Sequence, residues 1–253
     1  MRNILIYFAI KYKGDYVKIL DAIKRKEQID KSELEKLKKQ NIKALTCLDN
    51  NYPSYFKEML YAPLVLFYEG DISLLDSPYR LGVIGSRQCH EYGKSATIKV
   101  LKELFDKRPV TIVSGLAQGI DTIAHQTAIE NNQRTIAVLG TGIDICYPKE
   151  NFTLYRRIKE YDLIISEYPF GVGPSHNNFP FRNRLISGIS QKILVSEAAI
   201  KSGTQITIRY ALEQNKDVFA IPHPITEESF CNILISQGAK PIFNGLDIDE
   251  EFL

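Results

Sequence analysis

Cysteine is scarce in this sequence, and the few cysteines form no metal or disulfide pattern. Four cysteines are spread over 253 residues, and no two have the spacing of a CxxC pair. The four histidines also lack the spacing of metal ligands. A disulfide framework and a structural zinc site are therefore excluded as the basis of the fold, and we expect neither a metal nor another cofactor.

Long hydrophobic runs and a strong net charge are also missing. The apolar run from Ile4 to Ile10 ends at Lys11 and is far shorter than the ~18 residues of a membrane span. No small-residue cleavage site follows it, so it predicts a helix and not a signal peptide. The formal net charge is +2, whereas proteins that coat duplex DNA are usually far more basic. We expect a cytoplasmic protein without membrane contact, in which any nucleic-acid role requires a local basic site.

The sequence divides into three segments. Residues 1–50 are predicted to form a small helical N-terminal region, in which Ser32 and Glu35 match a capping box. Residues 51–245 are predicted to form the core. Residues 246–253 carry four acidic and no basic residues, which predicts a short acidic tail.

The core alternates short apolar runs with amphipathic segments. The run from Leu64 to Tyr68 predicts a strand that ends at Gly70. Six further strand candidates are Leu81–Gly85, Val110–Ser114, Thr135–Gly140, Asp162–Glu167, Lys192–Ala198 and Asp217–Pro222. Apolar strands that alternate with helices predict an α/β protein with a Rossmann-like, mainly parallel sheet and helices on both faces.

Glycine, together with serine or threonine, follows four of these strands. The four positions are Gly85-Ser86-Arg87, Ser114-Gly115 with Gly119 nearby, Gly140-Thr141-Gly142 and Ser202-Gly203-Thr204. Ligands of such sheets bind at the carboxyl ends of the strands, where small residues expose N–H groups and helix N-termini favour anions. A phosphate-binding rim is therefore predicted, with Arg87, Lys149, Arg182, Arg184 and Lys201 as nearby cations. The alternative is that the glycines serve only the geometry of tight turns.

Two segments combine cations with aromatic residues. In the stretch from Phe179 to Arg184, two arginines flank Asn183 directly after two phenylalanines. Arginine can bind phosphate with two hydrogen bonds, and an aromatic ring can stack on a base. The alternative is that the phenylalanines belong to the core and the arginines pair with acids. Lys149 and Phe152 repeat the combination at spacing i, i+3, which makes Phe152 a candidate for base stacking.

Catalytic residues are not indicated. Asp121 and His125 are spaced i, i+4 on a predicted helix, with Ser114 before them. Ser114 does not lie in the Gly-x-Ser-x-Gly turn that presents a nucleophilic serine. We therefore expect a structural hydrogen bond between Asp121 and His125, and no catalytic residue.

Taken in order, these motifs resemble the DNA-processing protein A family, also called DprA or Smf. The matching residues include Val83–Arg87, Ser114–Asp121, Thr135–Gly140, Tyr147-Pro148, Phe179-Pro180, Arg182–Arg184 and Ser202–Thr204. The resemblance extends over residues 52–243. The family's Gly-Ser-Arg element falls on Gly85 to Arg87, and its Arg-Asn-Arg element falls on Arg182 to Arg184.

The resemblance implies a Rossmann-like core that binds single-stranded DNA as a homodimer and is not an enzyme. It also implies a cytoplasmic role in natural transformation, in which the protein protects incoming DNA and loads the RecA recombinase. The predicted DNA-binding residues are Gly85, Ser86, Arg87, Ser114, Gly115, Gly119, Lys149, Phe152, Arg182, Asn183, Arg184, Lys201, Ser202 and Gly203.

A nucleotide phosphoribohydrolase is the alternative function. Rossmann-like enzymes of that group resemble the stretch Ser202–Thr204 through a Gly-Gly-x-Gly-Thr-x-x-Glu motif. Thr207 stands at the position of the motif's glutamate, so the expected catalytic carboxylate is missing. Release of a free base from a nucleoside monophosphate would support the enzyme, and oligonucleotide binding would support the DNA-binding function.

Overall fold

The structure is a computed structural model in which residues 1–200 and 202–252 are described. Its helices are α1 (Arg2–Lys11), α2 (Tyr16–Lys24), α3 (Lys31–Lys38), α4 (Ser54–Lys57), α5 (Glu91–Phe105), α6 (Ile120–Glu130), α7 (Phe152–Tyr161), α8 (Asn178–Ile189), α9 (Thr204–Glu213), α10 (Phe230–Ser236) and α11 (Gly245–Asp249). Its strands are β1 (Ala44–Thr46), β2 (Val65–Gly70), β3 (Arg80–Ile84), β4 (Thr111–Ser114), β5 (Thr135–Leu139), β6 (Leu163–Ser166), β7 (Lys192–Val195), β8 (Asp217–Ala220) and β9 (Lys240–Pro241). In the described ranges, no helix has both the length and the hydrophobicity needed to cross a bilayer.

The strands of the described ranges form one nine-stranded sheet in the order β1-β2-β6-β5-β4-β3-β7-β8-β9. β2 is antiparallel to both β1 and β6. From β6 to β9 each neighbouring pair is parallel. The predicted α/β class with a mainly parallel sheet is confirmed. The chain runs outward from β3 to β6 and then returns to β7, on the other side of β3.

The core strands form where the sequence has continuous apolar runs. Every residue of β3 and of β5 is buried, as expected for strands that are covered on both faces. The predicted strands of the core are confirmed as β2 to β8, with differences of a few residues at their ends. The sequence does not predict β1 and β9, because three and two residues are too few to form a pattern.

Helices cover both faces of the sheet. On one face, Ile84 and Val113 share a hydrophobic cluster with residues of α8, α9 and α10. On the other face, the adjacent strand residues Val83 and Ile112 pack with α5 and α6. Leu139 of β5 packs in a third cluster with α7 and α1. Successive strand residues point to opposite faces, so each apolar run supplies two layers of the core.

The predicted helical N-terminal region contains α1, α2 and α3. Asp30, and not Ser32, caps α3, because its carboxylate accepts the backbone N–H groups of Ser32 and Glu33 at 2.8 and 3.1 Å. The predicted capping box of Ser32 and Glu35 is therefore wrong. β1 lies before residue 50 and pairs with β2 in the sheet, and the domain boundary at residue 50 stays a prediction.

The segment predicted to be an acidic tail packs against the core. Ile248 of α11 is fully buried in the cluster that contains α5. Asp249 forms an ion pair with Arg108, and Glu251 forms one with Lys240. Two of the four acidic residues of this segment are therefore partners of core cations, and the boundary at residue 245 stays a prediction.

Candidate nucleic-acid interface

The loops that follow β3, β4 and β5 enclose a cavity of about 470 Å³ at the carboxyl edge of the sheet. We call it the carboxyl-edge cavity. The first loop contributes Arg87, the second contributes Gly115 and the third contributes residues 145–150. The beginning of α8 adds Phe179 and Arg182. The sequence predicts a ligand site at this edge. Three of the five predicted cations, Arg87, Lys149 and Arg182, line the cavity.

Close packing between the loops favours glycine at three of the predicted positions. Gly119 has a φ of +73°, and a Cβ there would lie 2.2 Å from the carbonyl oxygen of Ser86. A Cβ on Gly115 would lie 2.7 Å from the guanidinium of Arg182. Gly85 also packs closely, since its Cβ would lie 2.6 Å from a side chain of α6. Larger residues would push the loops apart, so these glycines shape the site through packing.

Backbone N–H groups of these loops are partly used inside the protein. The N–H of Gly115 donates to the Asp121 carboxylate at 3.1 Å. The N–H of Ser86 donates to the carbonyl oxygen of Glu197 at 2.7 Å. The phosphate cradle predicted at Gly115 is therefore corrected, because its donor already has a buried acceptor. These two backbone donors are therefore not available to an anion, whereas the side-chain cations of the lining carry positive charge.

Arg87 is an exposed cation that lies over an aromatic ring. Its guanidinium carbon is 5.7 Å from the centroid of the Phe179 ring, within cation–π range. Phe179 packs on Tyr147, with ring centroids 5.4 Å apart and an interplanar angle of 34°. The neighbouring Ser86 turns its hydroxyl to the carbonyl oxygen of Gln88 at 2.9 Å. Arg87 therefore presents its charge beside two aromatic rings, while the Ser86 hydroxyl stabilises the loop.

Arg182 is a buried cation in the lining of the cavity. It is 4% exposed, and its Nη1 donates to the carbonyl oxygens of Gly115, at 2.8 Å, and of Val138. These bonds join the ends of β4 and β5. Burial lowers the pKa of Arg182 to about 10; the Asp121 carboxylate opposes this shift and the Arg87 charge adds to it. Arg182 thus remains protonated at neutral pH and adds positive charge to the site.

Arg184 points away from the cavity into a buried ion pair. Its side chain is 1% exposed, and its two terminal nitrogens donate to the two carboxylate oxygens of Glu167 at 2.6 and 2.7 Å. Its Nε donates to the carbonyl oxygen of Tyr61 at 3.0 Å. The predicted phosphate contact of Arg184 is corrected, because these donors are taken and the side chain is buried. Residues two apart on a helix point about 200° apart, so Arg182 and Arg184 cannot face the same ligand.

Lys149 and Phe152 lie on one helical turn beside the cavity. Residues Lys149–Asn151 form a 3₁₀ turn that runs into α7 at Phe152. Lys149 lines the cavity, whereas Phe152 lies beside it, with 53% of its surface exposed. The Phe152 ring is nearly parallel to Tyr155, at an angle of 16°. The Asn151 amide donates to the Leu116 carbonyl at 2.9 Å, which ties this turn to the loop after β4.

Ser114, Asp121 and His125 do not form a catalytic set. All three are buried, and each bonds to different partners: Ser114 to the Val83 carbonyl (2.7 Å), Asp121 to the N–H groups of Gly115 and Ala117 (3.1 and 3.3 Å), and His125 to the Thr135 hydroxyl (2.6 Å). The predicted hydrogen bond between Asp121 and His125 is therefore wrong. The DNA contact predicted for Ser114 is corrected as well, because the residue is fully buried and its hydroxyl bonds inside the sheet.

Some predicted residues lie elsewhere, and some lining residues were not predicted. The described lining does not include Ser202 or Gly203, which follow β7 on the other side of β3. Lys201 falls outside the described residues. Asn183 is half-buried and accepts a hydrogen bond from the Nε of Arg182 at 3.2 Å. Tyr147 lines the cavity but is not among the predicted DNA-binding residues. The sequence contained a signal for it, because the Tyr147-Pro148 pair matches the family.

The charges and rings of the cavity suit a strand of phosphates and bases. Its charged lining consists of Arg87, Lys149, Arg182 and Glu150. Three cations against one carboxylate favour an anion, and the Phe179 ring offers a surface for stacking. In the described part of the chain, no group of three or more His, Cys, Asp or Glu side chains could hold a metal ion.

Comparison with known proteins shows the family to which the chain belongs. A family model described as DNA recombination-mediator protein A matches residues 43–253. The DNA processing protein DprA of Streptococcus pneumoniae (strain ATCC BAA-255 / R6) is 42% identical over 227 residues, which are 89% of this chain and 79% of that protein.

Two solved structures share the fold over most of their length. The X-ray structure of DNA processing protein A from Streptococcus pneumoniae has a TM-score of 0.84 at 38% identity. The match covers 99% of this chain and 93% of that chain. A second structure describes the single-stranded DNA binding mode of DNA processing protein A from Helicobacter pylori. It has a TM-score of 0.74 at 32% identity, and the match covers 82% of this chain and 94% of that chain. By its family match and these identities, the chain belongs to the family of DNA recombination-mediator protein A.

Proposed function

We propose that this protein binds single-stranded DNA at the carboxyl-edge cavity and acts there as a recombination mediator. The observation that carries the proposal is the Arg87 guanidinium over the Phe179 ring, with the buried cation Arg182 in the same lining. Guanidinium groups bind phosphate oxygens, and ring faces stack on bases. The single-stranded DNA binding of the Helicobacter pylori relative supports the proposal.

The proposed mode of binding is tolerant of sequence. Arg87, Lys149 and Arg182 would contact phosphates, and Phe152 would stack on a base. Every nucleotide has a phosphate and a ring face, so these contacts do not select a sequence. Single strands are preferred over duplex because the ring faces of a duplex are already stacked within the helix and cannot reach an aromatic side chain.

The finer role is also a proposal. In it the protein protects incoming strands during natural transformation, loads RecA onto them, works as a homodimer in the cytoplasm and catalyses no reaction. Membership of a recombination-mediator family supports this role, because a mediator has to hold a single strand in a form that a recombinase can accept.

Replacing Arg87 with alanine is expected to weaken single-strand binding by about tenfold to a hundredfold. A hydrogen bond to a charged group contributes about 1.5–3 kcal/mol. Fluorescence anisotropy with single-stranded and duplex oligonucleotides of equal length, over a series of salt concentrations, measures the effect. With three phosphate contacts the slope of log K against log salt should be about −2, and Arg87→Ala should reduce its magnitude by about 0.7.

Arg209→Ala is the matched control for this experiment. Arg209 is exposed on α9, faces Glu213 at 3.9 Å and is not among the lining residues. Its removal takes away the same charge and should leave the affinity unchanged. A wild-type protein that does not prefer single strands would contradict the proposal. The assay for release of a free base from a nucleoside monophosphate would then test the phosphoribohydrolase alternative.

Replacing Phe152 with alanine is expected to lower single-strand affinity with little change in melting temperature. Stacking of a base on an aromatic ring contributes about 1–3 kcal/mol, and a side chain that is 53% exposed adds little to the core. Anisotropy and thermal denaturation measure the two effects. Tyr161→Ala is the control, because Tyr161 is 55% exposed at the other end of α7. Equal losses of affinity in the two variants would argue against stacking on Phe152.

A further inference from the structure

A second cavity lies between the N-terminal helices and the segment that leads into α8. We call it the junction cavity, and its volume is about 520 Å³. The turn between α1 and α2 supplies Lys13 and the first turn of α2 supplies Lys18, and the other wall includes Asn177, Asn178 and Phe181. Neither the predicted site nor the fold alone gives this cavity a role.

The two cavities lie on opposite sides of one short segment. Pro174 and Phe179 line the carboxyl-edge cavity, whereas Ser175 and Phe181 line the junction cavity. Consecutive Cα atoms are 3.80 Å apart, and Phe179 and Phe181 point to opposite sides of α8 because they are two residues apart. Residues 174–181 thus form a wall that the two cavities share, and a strand that leaves the first cavity over this wall would meet the second.

The α1–α2 turn packs closely against the core. Gly14 has a φ of +77°, and its N–H donates to the carbonyl oxygen of Ala9 at 2.8 Å. A Cβ on Gly14 would lie 2.6 Å from the carbonyl oxygen of Glu167, so the turn contacts the end of β6 directly. Lys13, with a φ of +51°, precedes Gly14 in this turn and lines the cavity.

The charges of the junction cavity favour an anion. Its charged lining consists of Lys13, Lys18 and Asp15. The Asp15 carboxylate is already engaged, because it accepts the backbone N–H of Lys18 at 3.1 Å and pairs with the Lys18 ammonium at 3.1 Å. Lys13 is thus the cation that remains for a phosphate. The amide side chains of Asn177 and Asn178 add N–H donors, which phosphate oxygens can accept.

We propose that a single strand bound in the carboxyl-edge cavity continues into the junction cavity, where Lys13 contacts a phosphate, so that the N-terminal helices lengthen the DNA-binding site. The proposal rests on the proposed function, since the strand must first occupy the carboxyl-edge cavity. It predicts a contact that depends on the length of the DNA, because a short strand can occupy one cavity and a longer strand can reach both.

The test measures Lys13→Gln by anisotropy with labelled oligothymidylates of about 5 and about 16 nucleotides, the range of site sizes for single-strand binding folds. Lys26→Gln is the matched control. Lys26 is also exposed, has a φ of +52° and follows a helix, α2, just as Lys13 follows α1, but it lies outside the lining of the junction cavity. Circular dichroism confirms that both variants are folded.

Lys13→Gln is expected to weaken binding of the longer strand by about threefold to tenfold and to reduce the magnitude of its salt slope by about 0.7. It should leave the short strand unchanged, and Lys26→Gln should change neither. If Lys13→Gln has the same affinity as Lys26→Gln for both strands, or loses the same factor of affinity for both, the extended site is refuted. The proposal of single-strand binding at the carboxyl-edge cavity is not affected by that result. If the wild type binds neither strand, the proposed function itself is refuted.

Discussion

Replacing Arg184 with alanine is expected to lower the free energy of unfolding by about 3–5 kcal/mol, the cost of breaking a buried ion pair from one side. The guanidinium is 1% exposed and donates to both oxygens of Glu167, which is itself buried. Without Arg184, the Glu167 carboxylate loses its counter-charge in a place that water does not reach. Urea denaturation at neutral pH measures the change.

Two comparisons separate this structural role from a role in DNA binding. Arg184→Met combined with Glu167→Gln removes both charges and should recover much of the lost stability, because no unpaired ion remains buried. Under conditions in which Arg184→Ala is folded, its salt slope for single-strand binding should equal that of the wild type. An exposed ion pair contributes less than about 1 kcal/mol. A stability loss below that value, together with a reduced salt slope, would indicate that Arg184 contacts DNA.

Acidification from pH 7 to pH 5 is expected to remove about 2 kcal/mol of stability through His125 alone. Burial lowers the pKa of His125 from 6.5 to about 3, and the charge of Arg182 adds to this effect. The Thr135 hydroxyl donates to the Ile112 carbonyl, so it accepts the Nδ1 proton of a neutral imidazole. Protonation of Nε2 would place a second donor in the core, where this atom has no partner among the described residues.

The sign of this effect follows from the direction of the pKa shift. In the unfolded chain the imidazole binds a proton below pH 6.5, and in the folded chain it stays neutral until about pH 3. The stability contributed by neutral His125 is therefore complete above pH 6.5 and declines as the pH falls toward 3. Urea denaturation at pH 7, 6 and 5 measures the decline in the wild type.

His125→Asn is the control for the pH experiment. Asparagine places an amide donor near the position of Nδ1 and does not titrate, so the bond to Thr135 is kept while the proton linkage is lost. The variant can be less stable at pH 7, but its decline from pH 7 to pH 5 should be about 2 kcal/mol smaller than that of the wild type. Parallel declines in the two proteins would show that His125 does not titrate below its ordinary pKa.

Much of the sheet is predictable because buried parallel strands require continuous apolar runs. β5, for example, consists of five buried residues between a charged residue and a glycine. The carboxyl-edge location of the site is predictable for a related reason, since parallel strands must end at a shared edge. The starts of short helices are less predictable, as α3 shows, because Asp30 and Ser32 are both good caps and the local sequence does not decide between them.

The amino-acid sequence was enough to predict the class of the fold, the edge of the sheet at which a ligand site is expected and the set of candidate cations. Strand burial and chain order follow from the pattern of residue types. Which of these cations line the carboxyl-edge cavity depends on the tertiary structure. Arg182 and Arg184 are two residues apart on α8 and face different partners, and Glu167, which pairs with Arg184, comes from the end of β6. A pattern read along the chain does not contain the direction of a side chain relative to distant residues, and that direction separates a ligand contact from a buried ion pair.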